Sequence, residues 1–297
     1  MKSTLAIAIK HIEGFEQGML VGDTETSISH LCQYSNNAIH CCGENLPELE
    51  TKLRDFIKRG KQVGQDMCVS TLIPNHQIVL DLIGSDVQSL DIFRNGRTEQ
   101  ECYDDACENK EVSLCRNYSI KFKCIAFWRG DMDEAAAQMC DHRLKYESGV
   151  SFKFCHHLIS IFIDGIIAFH FARKGEGNSA GFKNIGKSAI KLTKQWAEVC
   201  AWNFENKFQL LEAELHSLNG DNSFATKTFF ASILSARNHK IIHEEGLACE
   251  RLAAHLIRLG NHSEGLEYLM NAKQCYEQWG AQMVVKRIER EISTLSR

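Results

Sequence analysis

Proline is nearly missing from this chain: Pro47 and Pro74 are the 2 prolines among 297 residues, against 20 glycines. Proline punctuates loops and is confined to strand edges, so its scarcity permits long unbroken helices and disfavours a loop-rich β-sandwich. A dominant charge sign is missing as well. The 34 Lys+Arg and 38 Asp+Glu leave a formal net charge of −4 with no basic tail or stripe, which excludes a dedicated nucleic-acid binder. Paired cysteines are also lacking. There are 13 cysteines, an odd number, and no C-x-x-C spacing anywhere, so neither a zinc module nor a disulfide framework is indicated. Free, mostly buried thiols in a reducing, cytoplasmic compartment are the expectation.

No long, purely apolar run occurs. The first ten residues hold only a five-residue apolar stretch before Lys10, which predicts no secretory leader. The one membrane candidate, 154–172, carries Ile159, Phe162, Ile163, Ile166, Ile167 and Phe169. His156, His157, Asp164 and His170 interrupt it, and hydrocarbon would penalise them. A buried helix without membrane insertion is expected there.

What the sequence does have is helical periodicity. Leu247, Leu252, Ala253, Leu256, Ile257 and Leu259 recur at three- and four-residue spacing, and Gly260 ends the run. Asn261 is placed as an N-cap with Glu264 as its capping-box partner. A second stripe of Leu266, Leu269, Ala272 and Tyr276 follows, closed by Trp279-Gly280. Val284, Val285, Ile288 and Ile292 mark a last helix. The same helix–glycine–helix pattern recurs at Gly22-Asp23, Gly130-Asp131 and Gly220-Asp221, and Asn45 with Pro47 and Glu48 opens another helix. About fourteen helices are expected, with a linking loop or short helix near 84–100 and a glycine-rich loop near 174–187. Amphipathic helix pairs cannot bury their faces alone. Stacked in series they share a core, which predicts an all-α fold: an α-solenoid forming an elongated right-handed superhelix, with 1–297 as one helical repeat region.

The segment Gly260-Asn261-His262-Ser263-Glu264-Gly265-Leu266-Glu267-Tyr268 resembles the inter-helix turn of tetratricopeptide repeats. Ala213 and Ala253 match that family's small position in the first helix. Ala135, Ala225 and Gly265 match the early small position of the second, and Ser232 and Ala272 the late one. Residues 203–214, 243–248 and 275–281 also resemble the tetratricopeptide-like helical region of large multidomain signalling proteins. Those proteins join a serine/threonine-kinase-like domain, a predicted ATPase and often a sensor histidine kinase. The resemblance implies a scaffold whose partner is a protein or peptide, with kinase or ATPase domains of a signalling assembly as candidates.

Gly181-Phe182-Lys183-Asn184-Ile185-Gly186-Lys187-Ser188 satisfies G-x-x-x-x-G-K-[ST], in which Lys187 would reach phosphates and Ser188 would hold Mg²⁺. No buried strand leads into Gly181, and the one metal-binding candidate, Asp164, precedes the motif. A flexible basic loop with an ordinary helix start is therefore expected, and a nucleotide-binding ATPase or switch is the alternative. His239 and His243 are four apart on an expected helix, but no third ligand accompanies them. Cys155-His156-His157 and His40-Cys41-Cys42 read as core residues, because neighbours on a helix diverge rather than face each other. Trp128, Trp196, Trp202 and Trp279 read as packing residues. No catalytic, cofactor-binding or metal-binding residue is assigned, no cofactor is expected, and the expected function is a non-catalytic protein-interaction module.

Overall fold

The computed structural model describes residues 4–85, 97–146, 155–175 and 177–296. Among them every regular element is helical and none is a strand. The chain divides into two compact units, Lys2–His157 and Leu158–Arg297.

The N-terminal unit contains α1 (Thr4–Leu20), α2 (Thr24–Asn37), α3 (Leu46–Gln62), α4 (Asp66–Ile83), α5 (Glu99–Glu108), α6 (Val112–Arg129) and α7 (Met132–Tyr146). A single π-helical turn, Ala38–Cys42, ends α2. Helices α1 and α2, α3 and α4, and α6 and α7 pack as consecutive pairs, while α4 also contacts α2 and α6. Buried polar groups specify the middle of this unit. The Asn75 side chain donates to Ser35 Oγ at 2.8 Å and to Asn36 Oδ1 at 2.9 Å, and His76 Nε2 lies 3.0 Å from Glu50 Oε1. Paired in this way, they link α2, α3 and α4, and the hydrogen bonds offset part of the cost of burying them. Pro74 sits inside α4, immediately before Asn75.

The C-terminal unit begins within α8 (Cys155–Lys174). It continues through α9 (Ser179–Val199), α10 (Ala201–Asn219), α11 (Asn222–Asn238), α12 (Ile242–Arg258), α13 (His262–Trp279) and α14 (Gln282–Leu295). From α9 onward each helix packs on the next, and α10 also touches α12. This serial contact is the signature of a helical repeat. Small side chains set the close approaches. Ala213, Ala225, Ala253 and Ala272 are all fully buried, and a Cβ on Gly265 would lie 2.6 Å from the Ile257 side chain.

The turns explain both what the glycine pattern captured and what it missed. Gly22, Gly130, Gly220 and Gly260 all adopt left-handed backbone, with φ between +82° and +85°. The turns before α6 and α12 use the same geometry at Lys110 (φ 60°) and Lys240 (φ 59°), where no glycine advertises it. Asn261 occupies the N-cap position of α13 but makes no side-chain capping bond, so the expected box with Glu264 is not formed. A complete box stands instead at Thr98 and Glu101, opening α5 at the end of the segment where a linking loop or short helix was expected. The rest of that segment, 86–96, lies outside the described residues. The glycine-rich loop is much shorter than expected, because α9 begins at Ser179 under an Asn178 cap. Residues 159–172 form the buried part of α8, as their apolar density implied. No described helix is long and apolar enough to cross a membrane.

Candidate interaction face

Helices two apart in the chain, α8, α10, α12 and α14, are joined laterally by ion pairs. Glu214 on α10 is fully buried, and both of its oxygens are used. Oε1 accepts from Arg251 Nε on α12, and Oε2 accepts from Arg173 Nη2 on α8 at 3.0 Å. Burial alone would raise this carboxyl, but Arg251 and then Arg173 outweigh it and hold it at about 2. One residue along α12, Glu250 accepts a bidentate pair of bonds from Arg287 on α14, each 2.9 Å, and a third from Tyr276 Oη at 2.9 Å. The partners along this ladder are separated by 41, 37 and 37 residues, the length of one helix pair. A second buried rung, Lys207 to Glu244 at 2.7 Å, also joins α10 to α12 over 37 residues.

At the α8 end, Arg173, Arg251 and Arg258 surround the single carboxylate Glu214. Partial desolvation and the charges of Arg173 and Arg251 pull Arg258 down to about 10, and burial beside Arg251, Lys174 and Arg173 pushes His170 down to about 4. At the α14 end, burial and the neighbouring Glu250 raise the carboxyl of Glu291, with Arg287 and Arg251 opposing them. Breaking a buried pair of this kind by removing one partner leaves an uncompensated charge.

The residues singled out by sequence fall elsewhere. The entire stretch Gly181–Ser188 lies inside α9. The N–H of Gly181 is taken by the Asn178 side chain and that of Phe182 by the Asn178 carbonyl. Lys187 and Ser188 are exposed on the helix, so no backbone cradle is formed for phosphates, and the expected flexible loop is likewise replaced by helix. Gly186 is there for packing: a Cβ would lie 2.6 Å from the buried Phe169 ring. Asp164 sits within α8, not at a strand end.

His239 and His243 do not share a helix. His239 caps α11, Lys240 breaks the path, and His243 lies in the first turn of α12. The His239 ring packs tilted against Trp202, centroids 4.4 Å apart, and His243 stacks on Trp279 at 5.0 Å, which occupies both rings with packing. Trp128 and Trp279 are buried as expected and Trp196 packs on Phe204, but Trp202 remains 47% exposed. His40 and Cys41 are buried in the π-turn, and the side chains of Cys155 and His156 lie outside the described residues. The described cysteines are free thiols, buried or half-buried except for exposed Cys107 and Cys140. Among the described residues no three His, Cys, Asp or Glu side chains converge as a metal site.

The ladder was not read from the sequence. Its signal was there, in charged residues of alternating sign spaced by one helix pair, but such a spacing acquires meaning only once alternate helices are known to be neighbours. No protein-family model, curated protein or solved structure matches the chain.

Proposed function

We propose that the chain is a non-catalytic helical-repeat scaffold that receives a protein partner on the face formed by α8, α10, α12 and α14. One observation carries this reading: ion pairs running through buried Glu214 and half-buried Glu250 tie alternate helices into a single surface. A face whose helices are tied together in this way binds at a lower ordering cost than a flexible one. The tetratricopeptide-like character of the turns points the same way, with right-handed stacking of the helix pairs and a signalling assembly in a reducing compartment as the setting. Kinase or ATPase domains are the candidate partners.

Ala254 shares the stripe of Glu250, Arg251 and Arg258, at helical spacings of three and four residues, and Glu267 is exposed on α13. A photoreactive residue at 254 in the full chain is expected to cross-link a discrete partner in native extract, and the same residue at 267 is not. Cross-linking from 267 alone, or from neither position, would contradict the assignment of this face.

A further inference from the structure

We infer that His11 of α1 and His30 of α2 form a proton-gated latch. The pair holds the two helices together while it carries at most one added proton, and a second proton drives them apart.

Glycine sets the geometry. Gly14 and Gly18 lie four residues apart on α1, and α2 presses into the groove they leave. A Cβ on Gly18 would collide with Ser27 Oγ, and one on Gly14 would lie 2.7 Å from His30 Nε2 and 2.8 Å from its Cδ2. The His30 ring is thus backed by the α1 backbone, and its Nδ1 faces His11. The two Nδ1 atoms are 3.0 Å apart and the ring centroids 5.3 Å apart. The difference matches the sum of two imidazole radii, so the nitrogens meet head-on. That is the direction of a hydrogen bond, not the angle that two ligands make at a shared metal.

A head-on contact of this kind holds a single proton. In the neutral pair one ring donates its Nδ1–H and the other accepts at Nδ1. A first added proton can occupy the far nitrogen of the donor ring, which leaves the bond in place and makes it charge-assisted. A second must occupy the accepting Nδ1. Two N–H groups then face each other and both rings are positive, so attraction becomes repulsion.

Among the described residues no nearby carboxylate stabilises the doubly charged pair. The positions one turn from His11 (7, 8, 14, 15) and from His30 (26, 27, 33, 34) hold no acid and no cation. Tyr34, the titratable group among them, donates to Glu44. On α1, Lys10 and Glu13 are exposed and paired with each other, and Glu16 is exposed. Asp23 and Glu25 lie exposed at the start of α2, more than a turn from His30. Arg59 of α3 lies over the Phe15 ring and is paired with Asp55, and His76 of α4 is paired with Glu50. His40, Cys41 and Cys42 of the π-turn lie ten or more residues beyond His30. Burial, and then His30, hold His11 below the ordinary histidine value. A basic group lowered in this way stabilises the fold above that value and loses its contribution as the pH falls through it, so the latch is closed at neutral pH and opens below about 6.5.

Native-state hydrogen exchange of the intact chain at pH 7.5 and pH 5, expressed as protection factors, tests this against His30→Asn and His11→Asn. Each variant places a side-chain amide near the Nδ1 position, where it cannot titrate. Between the two pH values α1 of the parent is expected to lose about tenfold more protection than α1 of either variant. Comparing the same helix across the three chains cancels the acid loss from other buried histidines, which all three share. Imidazole nitrogen NMR gives a second readout on the parent alone. At pH 7.5 one of the two rings should carry its proton on Nδ1, and the pair should titrate in two separated steps. Equal loss of α1 protection in the parent and the variants would overturn the inference. So would two rings that are both protonated on Nε2 at pH 7.5 and titrate in one common step.

Discussion

His142 shows at the scale of one side chain what burial does to a titratable group here. It lies almost fully inside the N-terminal unit, with Nδ1 3.0 Å from Ser119 Oγ. Burial, reinforced by Lys123 and Arg116, pushes its pKa down to about 2. The unfolded chain takes up a proton near the ordinary value of about 6.5, whereas the folded chain does not, so stability is full above that value and falls as the pH drops below it. Between pH 7 and pH 5 this one group should cost about 2 kcal/mol of folding free energy. Urea unfolding of the parent chain and of His142→Asn at both pH values checks this. The variant should lose about 2 kcal/mol less than the parent over that interval, and equal losses would show that His142 is not held neutral. Residue-level burial was partly legible in advance: the small residues at the repeat positions and the apolar stripes were, but the buried Lys123, Lys207 and Glu214 were not. A charged residue in a helical sequence reads as solvated until its partner on another helix is seen.

At the scale of an element, α9 separates a letter match from a physical one. Its Gly181–Ser188 segment carries the residues of a phosphate-binding loop, but the chain passes through them as a continuous helix. Gly186 is then required by the approach of α8, and Lys187 by nothing. Gly186→Leu should destabilise the fold by about 1–3 kcal/mol through overpacking against Phe169. Lys187→Ala, on the exposed face, should change stability by no more than about 0.5 kcal/mol. Chemical denaturation of both variants measures the contrast, and a Lys187→Ala loss as large as that of Gly186→Leu would refute it. The turns show the limits of reading elements from sequence. Where glycine supplies the left-handed residue, as at Gly130, Gly220 and Gly260, the helix boundary was visible. Where Lys110 and Lys240 take the same conformation at some steric cost, it was not, and His239 and His243 were therefore placed on one helix.

At the scale of the whole chain, the all-helical character followed from proline scarcity and periodicity, whereas the ion-paired face did not. The face depends on contacts between helices two apart, and no local pattern encodes which side of α10 will meet α12. A surface shared by alternate helices exists only if that lateral coupling holds them together. Native-state hydrogen exchange on the intact chain tests it most directly, comparing the parent with Glu214→Gln. The substitution leaves Arg173 and Arg251 without their carboxylate partner, a loss on the order of 3–5 kcal/mol for a buried pair. The predicted result is reduced amide protection in α8, α10 and α12 together. Loss confined to α10, with α8 and α12 as protected as in the parent chain, would contradict the account.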